Sequence, residues 1–271
     1  MCAQLRPARV DDYGAFAELF LELGVPDPAP SAARFADDLM ARMLVYEDAG
    51  AMLGYVAFEQ VADEGFIRNL VVAPAARGQG AGAALMLAAA AELRKRGAGR
   101  QWRLNVKVDN TPALRLYQRL GMQPEYGSVA MLVPWLAVDR LPAPDRRHQR
   151  LPATLVTAED DHELERALAL MPGRLQQARQ RGCILLQLRD DREPLGVAGF
   201  DPSFPGAFPF RVAHPALAAQ LLRALSVHAR PGEVALQLVV EADDELARAL
   251  LAAGASERYR LLHLAGPLPP A

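Results

Sequence analysis

The sequence predicts an α/β protein of two consecutive domains, and three observations lead there. At 71–96 a β-branched strand runs into a loop with Gly at every second position and then into an Ala-rich helix. At 103–122 an alternating strand is followed by a helix that carries its own start and stop residues. A polar, Pro-bearing, charged stretch at 139–150 then precedes a second half in which similar features return more faintly. With 271 residues and 51% hydrophobic content, the chain can bury two ordinary cores.

The elements read in order as follows. Leu5-Arg6-Pro7-Ala8 forms a first strand, 12–23 a helix, and 43–47, 52–60 and 66–72 three further strands. Pro74 ends the last of these, and Gly78, Gly80 and Gly82 space the loop that follows. Glycine has no Cβ, so this loop can turn tightly and bring its N–H groups close to a ligand. The helix at 83–96 adds roughly half a positive charge at its N-terminus, which makes the turn an anion site suited to phosphate or pyrophosphate. Its stripe Ala84, Leu87, Ala88 and Ala91 is read as the core face.

Three phosphate motifs compete for the loop, beside a bare glycine-rich turn with no ligand. A Walker A site is excluded because no Lys-Ser or Lys-Thr pair follows the glycines. Gly78, Gly80 and Ala83 satisfy a dinucleotide fingerprint, but that fold needs the glycines directly after the strand and an acidic residue about 20 positions on. Here 73–77 intervene and 93–108 hold no Asp or Glu. The third pattern, R-x-x-G-x-G, is met by Arg77, Gly80 and Gly82.

The downstream segment separates them. The strand at 103–108 leads into Asn110, a good N-cap; Pro112 sits in the first turn and Gly121 supplies a C-cap. Arg77-Gly78-Gln79-Gly80-Ala81-Gly82 followed by Asn110-x-x-Ala113-x-x-Leu116-Tyr117-x-x-x-Gly121 resembles the two signatures of the GNAT N-acetyltransferase superfamily. Met122 stands where Phe is commoner, and the likeness covers about 4–135.

That resemblance implies a GNAT-like mixed sheet flanked by helices, with the fourth strand splayed from the fifth to open a cleft. It implies that backbone groups of Leu70, Val71 and Val72 pair with the pantetheine arm of acetyl-CoA. The N–H groups of Gly78, Gln79, Gly80, Ala81 and Gly82 would cradle the pyrophosphate beside Arg77, and Asn110 would orient the cofactor. Tyr117 falls where the family places the general acid for the departing thiolate, the alternative being a packing aromatic on a face shared with Ala113 and Leu120. The central strands offer Arg68 and Asn105 in place of a carboxylate base, and Glu59 and Glu64 are expected to be solvated, so no base is assigned.

Composition sets the outer limits. A net charge of −2 gives no case for nucleic acid or an anionic membrane as partner. Cys2 and Cys183 with no disulfide framework, no leader pattern and no membrane-length apolar run point to the cytoplasm. The five His are scattered without metal-ligand spacing, so no metal is expected.

In the second half, Gly254 can be set on Gly121, which puts Asp243 on Asn110 and Leu250 on Tyr117. Val212-Ala213 can be set on Val72-Ala73, but there His214-Pro215 passes straight into a helix at 216–226, without a phosphate loop. The segment 201–210, with three Phe among three Pro, is open between a cleft wall, an interface and a rigid packed connection. The expected organisation is a GNAT-like catalytic domain at 1–138, a linker at 139–150, and at 151–271 a second α/β domain, either a degenerate GNAT repeat or an unrelated cap. The expected function is direct acetyl transfer from acetyl-CoA to an amine, on a small molecule or a protein N-terminus. A different acyl-CoA donor, or a non-catalytic acyl-CoA-binding sensor motivated by the missing carboxylates, are the alternatives.

Overall fold

The structure is a computed structural model describing residues 3–25, 28–61, 63–191, 193–203 and 205–269. Cys2 and Phe204 lie outside the described residues. The chain divides into two compact units, residues 1–125 with 263–271, and residues 126–262. The segment 139–150 thus lies inside the second unit.

In the first unit, β1 (Gln4–Pro7) leads through a 3₁₀ turn into α1 (Tyr13–Phe20), and α2 (Ala32–Arg34) continues through a wide π turn and a 3₁₀ turn to Arg42. Then follow β2 (Met43–Asp48), β3 (Ala51–Val61), β4 (Glu64–Val72), α3 (Ala81–Lys95), β5 (Gln101–Lys107), α4 (Thr111–Arg119) and β6 (Gln123–Pro134). The strand order is β1-β2-β3-β4-β5, followed by the end of β12 (Ser256–Pro267) and the start of β6. β1 to β4 pair antiparallel with one another in sequence, and β5 runs parallel to β4.

One side of this sheet carries α1 and α2, with Phe16, Phe35, Tyr55, Ala57 and Val71 in a closed core. α3 covers β3 and β4 through Ala81, Leu85, Met86, Ala89, Ala90 and Leu93. This corrects the expected stripe: Leu87 is 50% exposed and Ala84 lies only partly buried. The helix is apolar nearly all round, so helical spacing allows several stripes, and only contact with the sheet selects one.

The second unit repeats the plan with β7 (Thr154–Leu155), α5 (Asp161–Ala167), α6 (Arg174–Gln180), β8 (Ile184–Asp190), β9 (Glu193–Asp201), β10 (Gly206–Val212), α7 (Ala218–Ser226), β11 (Ala235–Glu241) and α8 (Asp244–Ala253). Its strands are ordered β7-β8-β9-β10-β11-β6-β12, where β6 is the strand that follows α4 and β12 the one that follows α8. The second unit thus takes in 126–134, most of β6, and the first takes in 263–267, the end of β12. In the second unit, β6 pairs antiparallel with β11 from Ser128–Glu241 to Pro134–Ala235. In the first, Gly266 of β12 lies so close to Gly121 and Met122 that a Cβ would meet the Gly121 carbonyl at 2.7 Å.

The repeat extends to individual hydrogen bonds. Asn110 Oδ1 accepts from the Ala113 N–H at 3.2 Å to cap α4, and Asp243 Oδ1 accepts from the Leu246 N–H at 2.9 Å to cap α8. Gly121 and Gly254 end those helices at φ 83° and 108°, a left-handed turn that favours glycine. Ala73 N–H donates to Leu53 O and Ala213 N–H to Leu195 O, both at 2.8 Å. The segment expected as a solvated linker is held down: His148 Nε2 lies 3.1 Å from Asp190, and Gln220 Nε2 donates to His148 O at 2.6 Å. The Phe- and Pro-rich segment is largely strand, with Phe210 in the core beside α7.

Candidate functional site

β4 is hydrogen-bonded to β3 along its whole length, but to β5 only at Gly65–Trp102, Phe66–Arg103 and Ile67–Leu104. Beyond these pairs the two strands diverge. The cause lies in β4: its register with β3 shifts between Ala57 and Phe58, leaving Arg68 outside the ladder as a bulge residue, and a bulge bends its strand. The result is a cleft flanked by unpaired backbone.

Which backbone groups face the cleft follows from alternation along the antiparallel pair. Ala73 N–H bonds to Leu53 on β3, so Val71, two residues before it, also turns its backbone toward β3. Leu70 and Val72 turn theirs toward the cleft. The Val71 side chain packs into the α1–α2 core.

At the wide end of the cleft stands the glycine loop. Gly78 and Gly80 have φ of 76° and 87°, and a Cβ built on either meets nothing within 4 Å. Their backbone therefore needs glycine for conformation, and the space beside it is open. Gly80 is the N-cap of α3 with no side-chain cap, and the helical bonding begins at Ala84 N–H to Gly80 O. The N–H groups of Ala81, Gly82 and Ala83 point out of the helix start with no partner in its own ladder. This cradle of donors suits a pyrophosphate.

The remaining loop residues have structural duties. A Cβ on Gly82 would lie 3.2 Å from Leu116 Cδ2, so this glycine lets α3 approach α4 closely. Arg77 Nε donates to Val72 O at 3.0 Å and its guanidinium pairs with Glu22 at 2.6 Å, which pins the loop to the ends of β4 and α1. Its charge is partly compensated. Gln79 Nε2 donates to Ala75 O at 2.8 Å, bracing the loop from within. Lys107, which the sequence reading passed over, donates to Leu23 O at 3.2 Å and Gly24 O at 2.6 Å and ties β5 to the end of α1.

Tyr117 lies on α4 and is 6% exposed. Burial pushes its phenol above the ordinary tyrosine range, so the group stays protonated through neutral pH. Its hydroxyl has no hydrogen-bond partner among the described residues. Packing thus fixes the ring without occupying its donor. Asn110 spends its side-chain oxygen on the α4 cap.

Glu59 departs from expectation. It is 6% exposed and ion-paired to Arg68 and, at 3.0 Å, to Arg42, which also pairs with Asp38. Two guanidiniums occupy the carboxylate, which leaves it poorly placed to accept a proton from an amine. Nothing in the sequence spacing marks Arg42 as its partner, because the pairing is made across the fold. Glu64 is likewise engaged, 2.5 Å from Arg103.

The second unit has the same strand divergence and a different loop. β10 pairs parallel with β11 only at Gly206–Gln237 and Ala207–Leu238. There the 3₁₀ turn Pro215–Leu217 passes directly into α7, and His214 Nδ1 accepts the Ala216 N–H at 3.2 Å. Leu250, opposite Tyr117 in the repeat, is a fully buried aliphatic. Among the described residues no group of His, Cys, Asp or Glu is arranged to hold a metal, and no helix is long and apolar enough to cross a membrane.

Comparison with known proteins agrees with this geometry. The sequence profile of the Acetyltransferase (GNAT) family matches residues 11–122. A Bacillus subtilis (strain 168) protein, whose name attributes to it alanine N-acetylation of ribosomal protein bS18, is 40% identical over 84 residues. That match covers 31% of this chain and 55% of the relative, so the chain spans about half the length of that relative. A GCN5-related N-acetyltransferase from Sphaerobacter thermophilus superposes with a TM-score of 0.69 at 19% identity, over 99% of this chain and 96% of its own. A tandem GNAT protein from the clavulanic acid biosynthesis pathway superposes with a TM-score of 0.60 at 17% identity, over the whole of both chains. Those two likenesses are of fold. The similarity to the Acetyltransferase (GNAT) family thus lies in residues 11–122.

Proposed function

We propose that the first unit is an acetyl-CoA-dependent N-acetyltransferase that transfers its acetyl group directly to an amine. The observation that carries this reading is the divergence of β4 from β5 opposite an open glycine loop. The residues fit acetyl-CoA: Gly78 and Gly80 leave a Cβ-sized space beside free donors, and the Leu70 backbone and the Val72 N–H face an extended arm, the Val72 carbonyl being taken by Arg77. When bound, the thioester supplies an activated acyl carbon and a thiolate leaving group.

The chain's residues supply positioning. The loop N–H groups and the α3 N-terminus hold the pyrophosphate, while Leu70 and Val72 align the arm along the cleft. The C–N bond forms as the C–S bond breaks, and Tyr117 gives its hydroxyl proton to the departing sulfur. The amine releases its proton to water, since Glu59 is held by Arg42 and Arg68. The second unit, without a glycine loop or a tyrosine at Leu250, is assigned no acetyl transfer.

The name of the B. subtilis relative makes an alanine N-terminus the first acceptor to test, and a cytoplasmic location is part of the same reading. The test is thiol release from acetyl-CoA with a panel of small amines and N-terminal peptides, including an alanine-first peptide. Acceptor-dependent thiol release with equimolar acetylated product supports the enzyme. Coenzyme binding without thiol release would instead favour the sensor.

A further inference from the structure

In the second unit, one side of the sheet packs under α7 and α8, with Leu236, Leu238 and Val240 of β11 and Phe210 and Val212 of β10 in that core. Side chains alternate along a strand, so Arg211 and Glu241 lie on the opposite side, which α6 approaches. There the β10–β11 divergence brings charged side chains together. Arg174, at the start of α6, is 9% exposed and sits with its guanidinium 4.9 Å from the centre of the Phe208 ring. Its side chain has no hydrogen-bond acceptor among the described residues.

A buried guanidinium carries five donors that water can no longer serve, and a ring face satisfies none of them as an acceptor would. The nearby carboxylates are committed. Glu165 accepts the Gly173 and Leu175 N–H groups at 2.9 and 2.8 Å. Glu241 lies 3.6 Å from Arg211 and accepts at 3.4 Å from Tyr126. Arg211 also donates to the Glu241 main-chain oxygen, yet its Nε is buried without an acceptor. Two cationic side chains beside one strand divergence thus hold donors that the protein leaves unmet. Burial lowers the Arg174 guanidinium below its ordinary range, and the charges of Glu241 and Glu165, neither hydrogen-bonded to it, only partly oppose this.

We propose that Arg174, with Arg211 beside it, forms a binding site in the second unit for a small carboxylate-bearing ligand, held by the forked donors of Arg174. A planar carboxylate matches the guanidinium fork in geometry and neutralises its charge. Coenzyme A is unsuited here, because the turn Pro215–Leu217 leaves no loop for its pyrophosphate. The second unit is then a ligand-binding domain that reuses the strand divergence without the acyl chemistry.

The test uses the full chain with saturating coenzyme A, which blocks the glycine loop of the first unit. Acetate, succinate and inorganic phosphate are titrated by calorimetry and thermal melting. The expected result is saturable stabilisation by the carboxylates and at least tenfold weaker effect of phosphate. Arg174→Met should lower carboxylate affinity more than tenfold, bind coenzyme A unchanged, and melt higher than the parent in buffer alone. Arg174→Lys, which keeps the charge without the fork, should weaken carboxylate binding several-fold and serves if the methionine variant does not fold. Absence of saturable carboxylate binding, equal binding by phosphate, or undiminished binding in either variant would overturn the proposal.

Discussion

Replacing Gly80 by Glu separates cofactor binding from folding. Gly80 has φ 87°, a conformation that costs a residue with a Cβ about 1–2 kcal/mol. Its Cβ meets nothing within 4 Å, so no steric cost is added in the free protein. Against a typical domain stability of about 5–15 kcal/mol, Gly80→Glu should fold and melt a few degrees lower. Binding should suffer far more, because the new carboxylate occupies and repels the place of the pyrophosphate. Loss of two charge-assisted hydrogen bonds, at about 1.5–3 kcal/mol each, is worth roughly 10²- to 10⁴-fold in affinity. Calorimetry with acetyl-CoA on the folded variant gives the answer. An affinity within threefold of the parent would show that the loop does not hold the cofactor. Gly82→Ala is the companion control: its Cβ would press on Leu116 Cδ2 at 3.2 Å, so it should act on stability first.

Three further outcomes are expected. Tyr117→Phe should lower kcat by about 10²- to 10⁴-fold while acetyl-CoA affinity stays within about threefold, and a kcat within a few-fold of the parent would leave Tyr117 as packing only. Because burial raises its phenol, its ionisation should not reduce the rate below about pH 10. Arg6 holds the Asp12 carboxyl below the usual carboxylate range, helped by the Arg9 N–H and opposed by burial. A lowered carboxyl stabilises the fold above its unfolded value, near pH 4, and that contribution is lost as pH falls further. Asp12→Asn should therefore be less stable at pH 7 and change less on acidification below pH 4, as chemical denaturation at both pH values would show.

The first unit was legible because its signals are local. The glycine loop, the Asn110 cap, Pro112 and Gly121 each act within a few residues of themselves, and the structure places all four where spacing puts them. Asp243 and Gly254 were legible for the same reason. What escaped was made across the fold. The placement of β6 in the second unit and of the end of β12 in the first depends on pairing between distant strands, which neither strand's own alternation encodes. Glu59 reads as a strand-end carboxylate until Arg42 and Arg68 close on it. Arg174 sits in Arg-Leu-Gln-Gln-Ala-Arg-Gln, which has the composition of a surface helix, and its burial against Phe208 comes from tertiary packing.

The stoichiometry of acetyl-CoA binding tests the central claim most directly, since one open glycine loop faces one strand divergence and the second unit's counterpart turn is closed by Pro215 and the His214 cap. Calorimetric titration of the full chain should give one site per chain, lost in Gly80→Glu and retained in Arg174→Met. Two equivalent sites, or a single site that survives Gly80→Glu, would contradict the account.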